Sequence, residues 1–261
     1  MEKKYELIET DCDGYYRIKA LKDFQLITGE IIKAGDLGGL VESKHNLSQE
    51  GNCWIDYYSK AFVYSSVKDN AVLKDNSMAY NSSTVSGNAI MKDFSRTYDN
   101  STVSGNAVMK DYSEAQGDSI ITGNAVLQAF QRIQYGTVTT DLLGTKDWAG
   151  ALYAELGVVP NDNKIVLYKK VCRTDDESVF KSNYDRNFLY KIGETVVTED
   201  ADEDIFNICA SGLHFTSLEF VNRYRGDTIL ECEVEVPDIV TVQDEKVRAR
   251  KCKVLRVYKE E

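Results

Sequence analysis

Two histidines and six cysteines are the residues of this chain best suited to acid–base, nucleophilic or metal chemistry. Their spacing argues against most of it. His45 stands alone, without the partners that a catalytic dyad requires. His214 lies in Gly212-Leu213-His214-Phe215-Thr216-Ser217, ahead of a segment with helical character, and reads as a ring hydrogen-bonded within a structural turn. A zinc site drawn from Cys172, Cys209, Cys232, Cys252 and His214 would need wide spacings that match no ligand pattern. With Cys12 and Cys53 the thiols form no CxxC pair and read as small buried hydrophobes rather than a disulfide framework. No Gly-rich phosphate loop, Ser/His/Asp set or carboxylate pair stands out. The expectation is a chain with no catalytic residue, no metal and no cofactor.

The elements that would hold any such residues are more legible. Asn52, Asn70, Asn88, Asn106 and Asn124 recur every 18 residues, and the period divides into three sixes. From Val67 the chain runs Val67…Ala71, Leu73…Ser77, Ala79…Ser83, then Val85…Ala89, Met91…Ser95, Thr97…Ser101, and onward to Gln131. The first turn reads Gln49…Cys53, Ile55…Ser59, Ala61…Ser65. An internal repeat of this length is a solenoid whose turns stack on one another. The first and fifth residues of each six point inward. The third and fourth, such as Gly87-Asn88 and Gly105-Asn106, make corners, where Gly, Asn and Asp tolerate left-handed angles. Asn side chains stacked at a corner are placed to hydrogen-bond one another. Three short strands per turn at ~4.8 Å spacing give a prism roughly 20–25 Å tall.

The sixth residues point outward and form three columns. The first is Trp54, Val72, Ile90, Val108 and Val126; the second is Lys60, Met78, Arg96, Glu114 and Arg132; the third is Ser66, Thr84, Thr102, Ile120 and Val138. An apolar column of five is costly to leave wet, and covering it is worth roughly 5–10 kcal/mol at ~25 cal/mol per Å2. This column is the expected oligomer interface. Phe62, Tyr80 and Tyr98 form an outer aromatic column, and Tyr58, Phe94, Tyr112 and Phe130 line a corner. Such ladders stabilise a solenoid and also suit a contact surface.

The expected fold is mainly β: a parallel β-helix of about five 18-residue coils plus a C-terminal α+β domain. Boundaries are 1–46 for N-terminal strands that cap the coil, 47–138 for the β-helix, 139–163 for a helix and linker, and 164–261 for the C-terminal domain. In the first segment 15–21 alternates like a strand and 24–32 reads as a strand pair about a Gly turn. In the third, Thr145 is the expected N-cap and Gly157 the stop of a helix. In the last, 164–171, 228–236, 239–242 and 251–258 read as strands and 217–224 as a short helix. The acidic run 199–204 reads as a solvated loop.

Net charge is −11 and is spread thinly, with no basic patch to grip a nucleic acid. The N-terminus lacks the apolar stretch of a signal peptide and no segment has the length to span a bilayer. A cytoplasmic protein that binds neither nucleic acid nor membrane is expected.

The sixes resemble the left-handed β-helix of the trimeric hexapeptide-repeat (LpxA-like) superfamily over about 90 residues. That resemblance implies the left hand and a homotrimer. Acyltransferases of this type use a His as general base, and its carbonic anhydrases hold zinc with three. No His lies in the repeats, so neither activity is expected. Gly38-Gly39-Leu40-Val41-Glu42-Ser43, with Asn46 through Asn52 and Trp54, resembles the leading segment of YdcK-like β-helix proteins, many carried by phages and prophages. Ile165-Val166-Leu167-Tyr168-Lys169, Ser211 through Phe215 and Val247-Arg248-Ala249-Arg250-Lys251 resemble a domain of uncharacterised phage-encoded proteins. These likenesses imply a phage or prophage origin.

The stretch around His214 is also similar to the Gly-Ile-Tyr-Phe-Ala stretch with which ADP-ribosyltransferases cradle nicotinamide. It departs at His214, where Tyr is expected, and at Lys169, near where a His would bind the cofactor ribose. The last strands offer no catalytic Glu. Lys169, Arg186, His214 and Arg225 are the candidate ligand-binding residues. The favoured function is a non-catalytic binding protein, a trimeric stalk bearing a domain that binds a host protein or a nucleotide and so inhibits a host defence component. The alternatives are a nucleotide- or NAD-acting enzyme of ADP-ribosyltransferase-like type, and a virion scaffold component.

Overall fold

The computed structural model describes residues 3–11, 14–185 and 187–259. It divides into two compact units, 1–145 and 146–261. Among the described residues no helix is long and apolar enough to cross a membrane.

The first unit is a parallel β-solenoid. Each turn contributes one two-residue strand to each of three faces. The apolar face stacks Trp54–Ile55, Val72–Leu73, Ile90–Met91, Val108–Met109 and Val126–Leu127. A charged face runs from Lys60–Ala61 to Arg132–Ile133, and a hydroxyl-rich face from Ser66–Val67 to Thr137–Val138. Partners stand 18 residues apart, as in Ile90↔Val108 and Arg96↔Glu114. The inward positions hold: Val67, Ala71, Leu73, Ser77, Ala79 and Ser83 are all fully buried, and so are their counterparts below.

Corners are built by side chains that serve the next rung. Asp75, Asp93 and Asp111 adopt left-handed backbone with φ of 58°. The Asp75 carboxylate accepts the Asp93 N–H at 3.2 Å, Asp93 that of Asp111 at 3.0 Å, and Asp111 that of Ala129 at 2.9 Å. At another corner Asn70 donates to Asn88, Asn88 to Asn106 and Asn106 to Asn124, at 3.1–3.2 Å. Short polar side chains are chosen here because they tolerate the left-handed region and satisfy groups that the corner leaves without a strand partner.

The register departs from the strict repeat at both ends. At the start Leu47, not Gln49, takes the inward place: it bridges to Val67 and is fully buried. The corner that follows is two residues longer, and the Gln49 amide oxygen instead accepts the Lys4 N–H at 2.8 Å. At the end the last corner is one residue short, turning at Gly136 with φ of 68°. Ile120 therefore faces Thr137, and Val138 turns inward with 3% exposure rather than extending the third outer column.

The N-terminal strands close the upper end. Tyr5–Glu9 pairs antiparallel with Tyr16–Ala20, which pairs with Leu37–Val41, which continues in parallel into Lys60–Ala61. The Gly38-Gly39 pair follows from crowding: a Cβ on Gly38 would sit 2.6 Å from the Trp54 ring, and one on Gly39 2.4 Å from the Ser59 carbonyl. Lys4 is buried, its Nζ donating to the carbonyls of Glu50, Gly51 and Cys53, at 2.9 Å for Cys53. Burial lowers its pKa.

The second unit is built on antiparallel sheets. Six strands run in the order Leu189–Lys191, Val179–Lys181, Lys164–Arg173, Thr228–Glu235, Lys251–Val257, Thr195–Val197. Three more, Leu213–Phe215, Lys246–Ala249 and Ile239–Gln243, form a smaller sheet. The helix Trp148–Leu156 packs on Ile239–Gln243 and ends at Gly157 in left-handed backbone. Its cap is Asp147, whose carboxylate accepts the Gly150 N–H, rather than Thr145, whose hydroxyl donates to the Asp141 carbonyl at 2.6 Å. The segment 217–224 holds only a 3-10 turn, Val221–Arg223, because the chain must reach the long strand Thr228–Glu235 within a few residues.

Candidate functional site

Lys169 and His214 are brought together by the two sheets of the second unit, which meet at the Tyr168↔Thr216 bridge. Alternation along Lys164–Arg173 fixes the direction of the Lys169 side chain. Its Nζ donates to the His214 carbonyl at 2.9 Å and lies 5.2 and 5.6 Å from the ring centres of Tyr190 and Phe215. Burial pulls the ammonium down to about 8. His214 is pushed down to about 4, first by burial and then by the positive charges of Lys169, Arg248 and Lys246. The imidazole is therefore neutral near pH 7. Among the described residues its buried Nε2 meets no hydrogen-bond partner.

Arg248 faces His214 directly across the smaller sheet and is 1% exposed. Its guanidinium donates to the carbonyls of Asn207, at 2.6 Å, and Asp204. Gly212 leaves the space this needs, since a Cβ there would lie 2.7 Å from the Arg248 Cγ. Arg250 pairs with Glu203 at 2.7 Å, holding that carboxyl below its ordinary range. The acidic run 199–204 is the solvated loop expected, with every residue exposed or half-buried, and two arginines tether it through the Asp204 carbonyl and the Glu203 carboxylate. A buried Arg in a strand was the residue that sequence reading missed: alternation places Arg248 on the polar face with Lys246 and Arg250, and no local signal marks its burial.

The neighbouring Cys252 thiol and burial push the Cys232 thiol well up. Cys172 donates to the Asn183 side chain at 2.8 Å, and Cys209 is exposed. Among the described residues no three His, Cys, Asp or Glu side chains are placed to hold a metal ion. Arg225 does not join Lys169 and His214; it is exposed, and its carbonyl accepts from Asn183. Arg186 lies outside the described residues.

Residues 159–219, which include Lys169 and His214, match a family described as one of unknown function (DUF5758). No curated protein matches the chain significantly.

The solenoid offers a second candidate, its outer faces. On the apolar face Trp54 and Val72 are fully buried, while Ile90, Val108 and Val126 are half-buried. The difference is made by this chain itself. The hairpin Phe24–Gln25 and Ile31–Ile32 turns at Gly29 and sets Phe24 edge-on against Trp54 at 5.5 Å. Glu30, in its turn, pairs with Lys74 at 2.6 Å beside the Val72 rung. Trp54 and Val72 are thereby corrected as interface residues, because their outer surfaces are already covered within the chain. On the charged face Tyr80 stacks on Tyr98 at 5.0 Å, and at the adjoining corner Phe94, Tyr112 and Phe130 stack at 5.1 and 5.2 Å.

Proposed function

We infer that this protein is a non-catalytic binding protein, in which the β-helix is a left-handed stalk that assembles as a homotrimer and the C-terminal domain meets a partner. The observation that carries the reading is the column Ile90, Val108 and Val126, left at the surface where the hairpin stops. Three stacked β-branched side chains on a flat parallel face favour a partner of the same kind. The C-terminal domain supports the non-catalytic part. Its Lys169 and Arg248, groups that a catalyst would aim at substrate, are engaged by backbone carbonyls of their own domain. A phage-type origin, implied by the resemblances of the leading and C-terminal segments, makes a host component the partner.

Light scattering on the purified chain tests the assembly. Three times the chain mass is expected for the wild type, and a lower mass for Val108→Glu. A wild-type monomer would remove the trimer. The enzyme reading is tested by incubation with NAD and related nucleotides: turnover lost in His214→Ala would replace binding by catalysis.

A further inference from the structure

An open concavity of about 360 Å3 lies in the first unit, where the hairpin 24–32 meets the first corner of the coil. That volume is within the roughly 300–1,000 Å3 of small-molecule sites. Its apolar lining is Ile32, Leu37, Trp54, Tyr57 and Tyr58. Leu37, Tyr57 and Tyr58 remain 46%, 45% and 68% exposed, so the chain leaves this apolar surface open. The two tyrosines stand edge to face at 5.1 Å. Arg17 lies over the Tyr57 ring at 3.8 Å, so the chain itself already places one organic cation on this aromatic pair.

The polar lining is Glu30, Asp36, Asp56 and Asp75, with no Lys, Arg or His among the lining residues. Glu30 pairs with Lys74 at 2.6 Å, Asp36 accepts the Lys33 N–H at 2.7 Å, and Asp75 accepts the Asp93 N–H at 3.2 Å. The Lys33 ammonium is taken by Asp23 at 2.8 Å. Four carboxylates thus stand against Lys74 and Arg17, a surplus of two negative charges, in a chain whose net charge of −11 draws cations. Asp56 is half-buried, and no hydrogen-bond donor meets its carboxylate among the described residues. Burial holds that carboxyl above its ordinary range, against the pull of Lys74 and with the push of Glu30 and Asp75. Among the described residues no three carboxylates are placed to hold a metal ion, so these charges are spread out rather than convergent. A hydrated metal ion would also waste the apolar lining. Spread charges over aliphatic and aromatic surface match a cation whose ammonium groups are separated by methylenes.

We propose that this concavity binds a small aliphatic polyamine, with one ammonium on Asp56, a second on the Asp36 or Asp75 carboxylate, and the methylenes between them against Leu37 and Tyr58. The site uses none of Ile90, Val108 and Val126, so its failure and that of the trimer are distinguishable. The test is isothermal titration calorimetry of the full chain with spermidine, with Mg2+ as a cation of charge alone, and with a short Arg/Gly peptide as the polypeptide source of similar charge. Spermidine is expected to bind at one site per chain and more tightly than either. Its affinity should fall about tenfold in Asp56→Asn, which keeps the shape and removes the charge. Tyr58→Ala, which removes an exposed ring, should cost about threefold. Asp162→Asn, an exposed carboxylate of the other unit, should change nothing, and melting should be unaltered in all three. No binding of spermidine, equal binding by wild type and Asp56→Asn, Mg2+ binding as tightly as spermidine, or preference for the peptide would each overturn the proposal.

Discussion

The solenoid and the C-terminal domain differ in where their polar groups find partners. In the solenoid each corner side chain is served by its own copy one rung away: Asn88 by Asn106, Asp93 by the Asp111 N–H, Tyr112 by Phe130. In the C-terminal domain the partners are unique and distant in sequence, as when Arg248 holds the carbonyls of Asp204 and Asn207. A repeated contact is small, local and duplicated, so losing one leaves its neighbours intact. A unique contact concentrates the order of a whole segment on one side chain. The lesson is that the two units should fail differently under substitution.

The largest effect is expected inside the coil, where a buried charge finds no partner on any rung. Val103 is fully buried between Val85 and Ile121, and Val103→Asp places an unpaired carboxylate there. A loss on the order of 4 kcal/mol in chemical denaturation is expected. Next comes Arg248→Leu, which strips two carbonyls of a charged donor and should cost about 3 kcal/mol. It should also open the 199–211 segment to limited proteolysis; unaltered digestion there would break the contrast. Lys4→Met, removing the ammonium that closes the upper end of the coil, should cost about 2 kcal/mol, with loss of order confined to the N-terminal strands in hydrogen exchange.

The pH response sharpens the contrast further. His214 is held at about 4, below its ordinary 6.5, so the unfolded chain takes up the proton first. Stability of the C-terminal domain should therefore fall as pH drops from about 6.5 towards 4. The ring is partly exposed, so a loss of about 1–2 kcal/mol is expected, and His214→Gln should flatten it. Lys169, lowered from 10.5 to about 8, gives the same sign, with stability rising between those values. The smallest effect is expected for Asn106→Ala, about 0.5 kcal/mol, since the Asn88 and Asn124 corners keep their own backbone bonds. A cost comparable to Arg248→Leu would mean that the rungs are not independent.

How far the sequence could be read follows the same division. The inward positions and the Asn ladder were legible because an 18-residue period repeats the same signal five times, whereas the aromatic columns were legible only in part: Tyr80 stacks on Tyr98 and Phe94, Tyr112 and Phe130 stack, but Phe62 turns edge-on to Tyr15 and Tyr58 to Tyr57. The exceptions arose where the period is interrupted: at Leu47, where the corner gains two residues, and at Thr137, where it loses one. The strand pair 24–32 was legible as a hairpin, but nothing in alternation says which surface a hairpin will cover, so its hold on Trp54 was not. In the C-terminal domain the four long strands and the Gly157 stop could be read locally. The Lys169–His214 contact had no local signal, because it joins residues 45 apart through strand pairing alone.

The row of aspartates along one corner carries a consequence for length. Each carboxylate holds the amide that comes after it, and the handover stops at Ala129, whose methyl has nothing to offer a successor. A further coil, whether inserted by mutation or presented by another molecule, would bring a corner amide with no acceptor, a penalty of about 1–3 kcal/mol. The column thus carries its own full stop, which discourages end-to-end fibre growth.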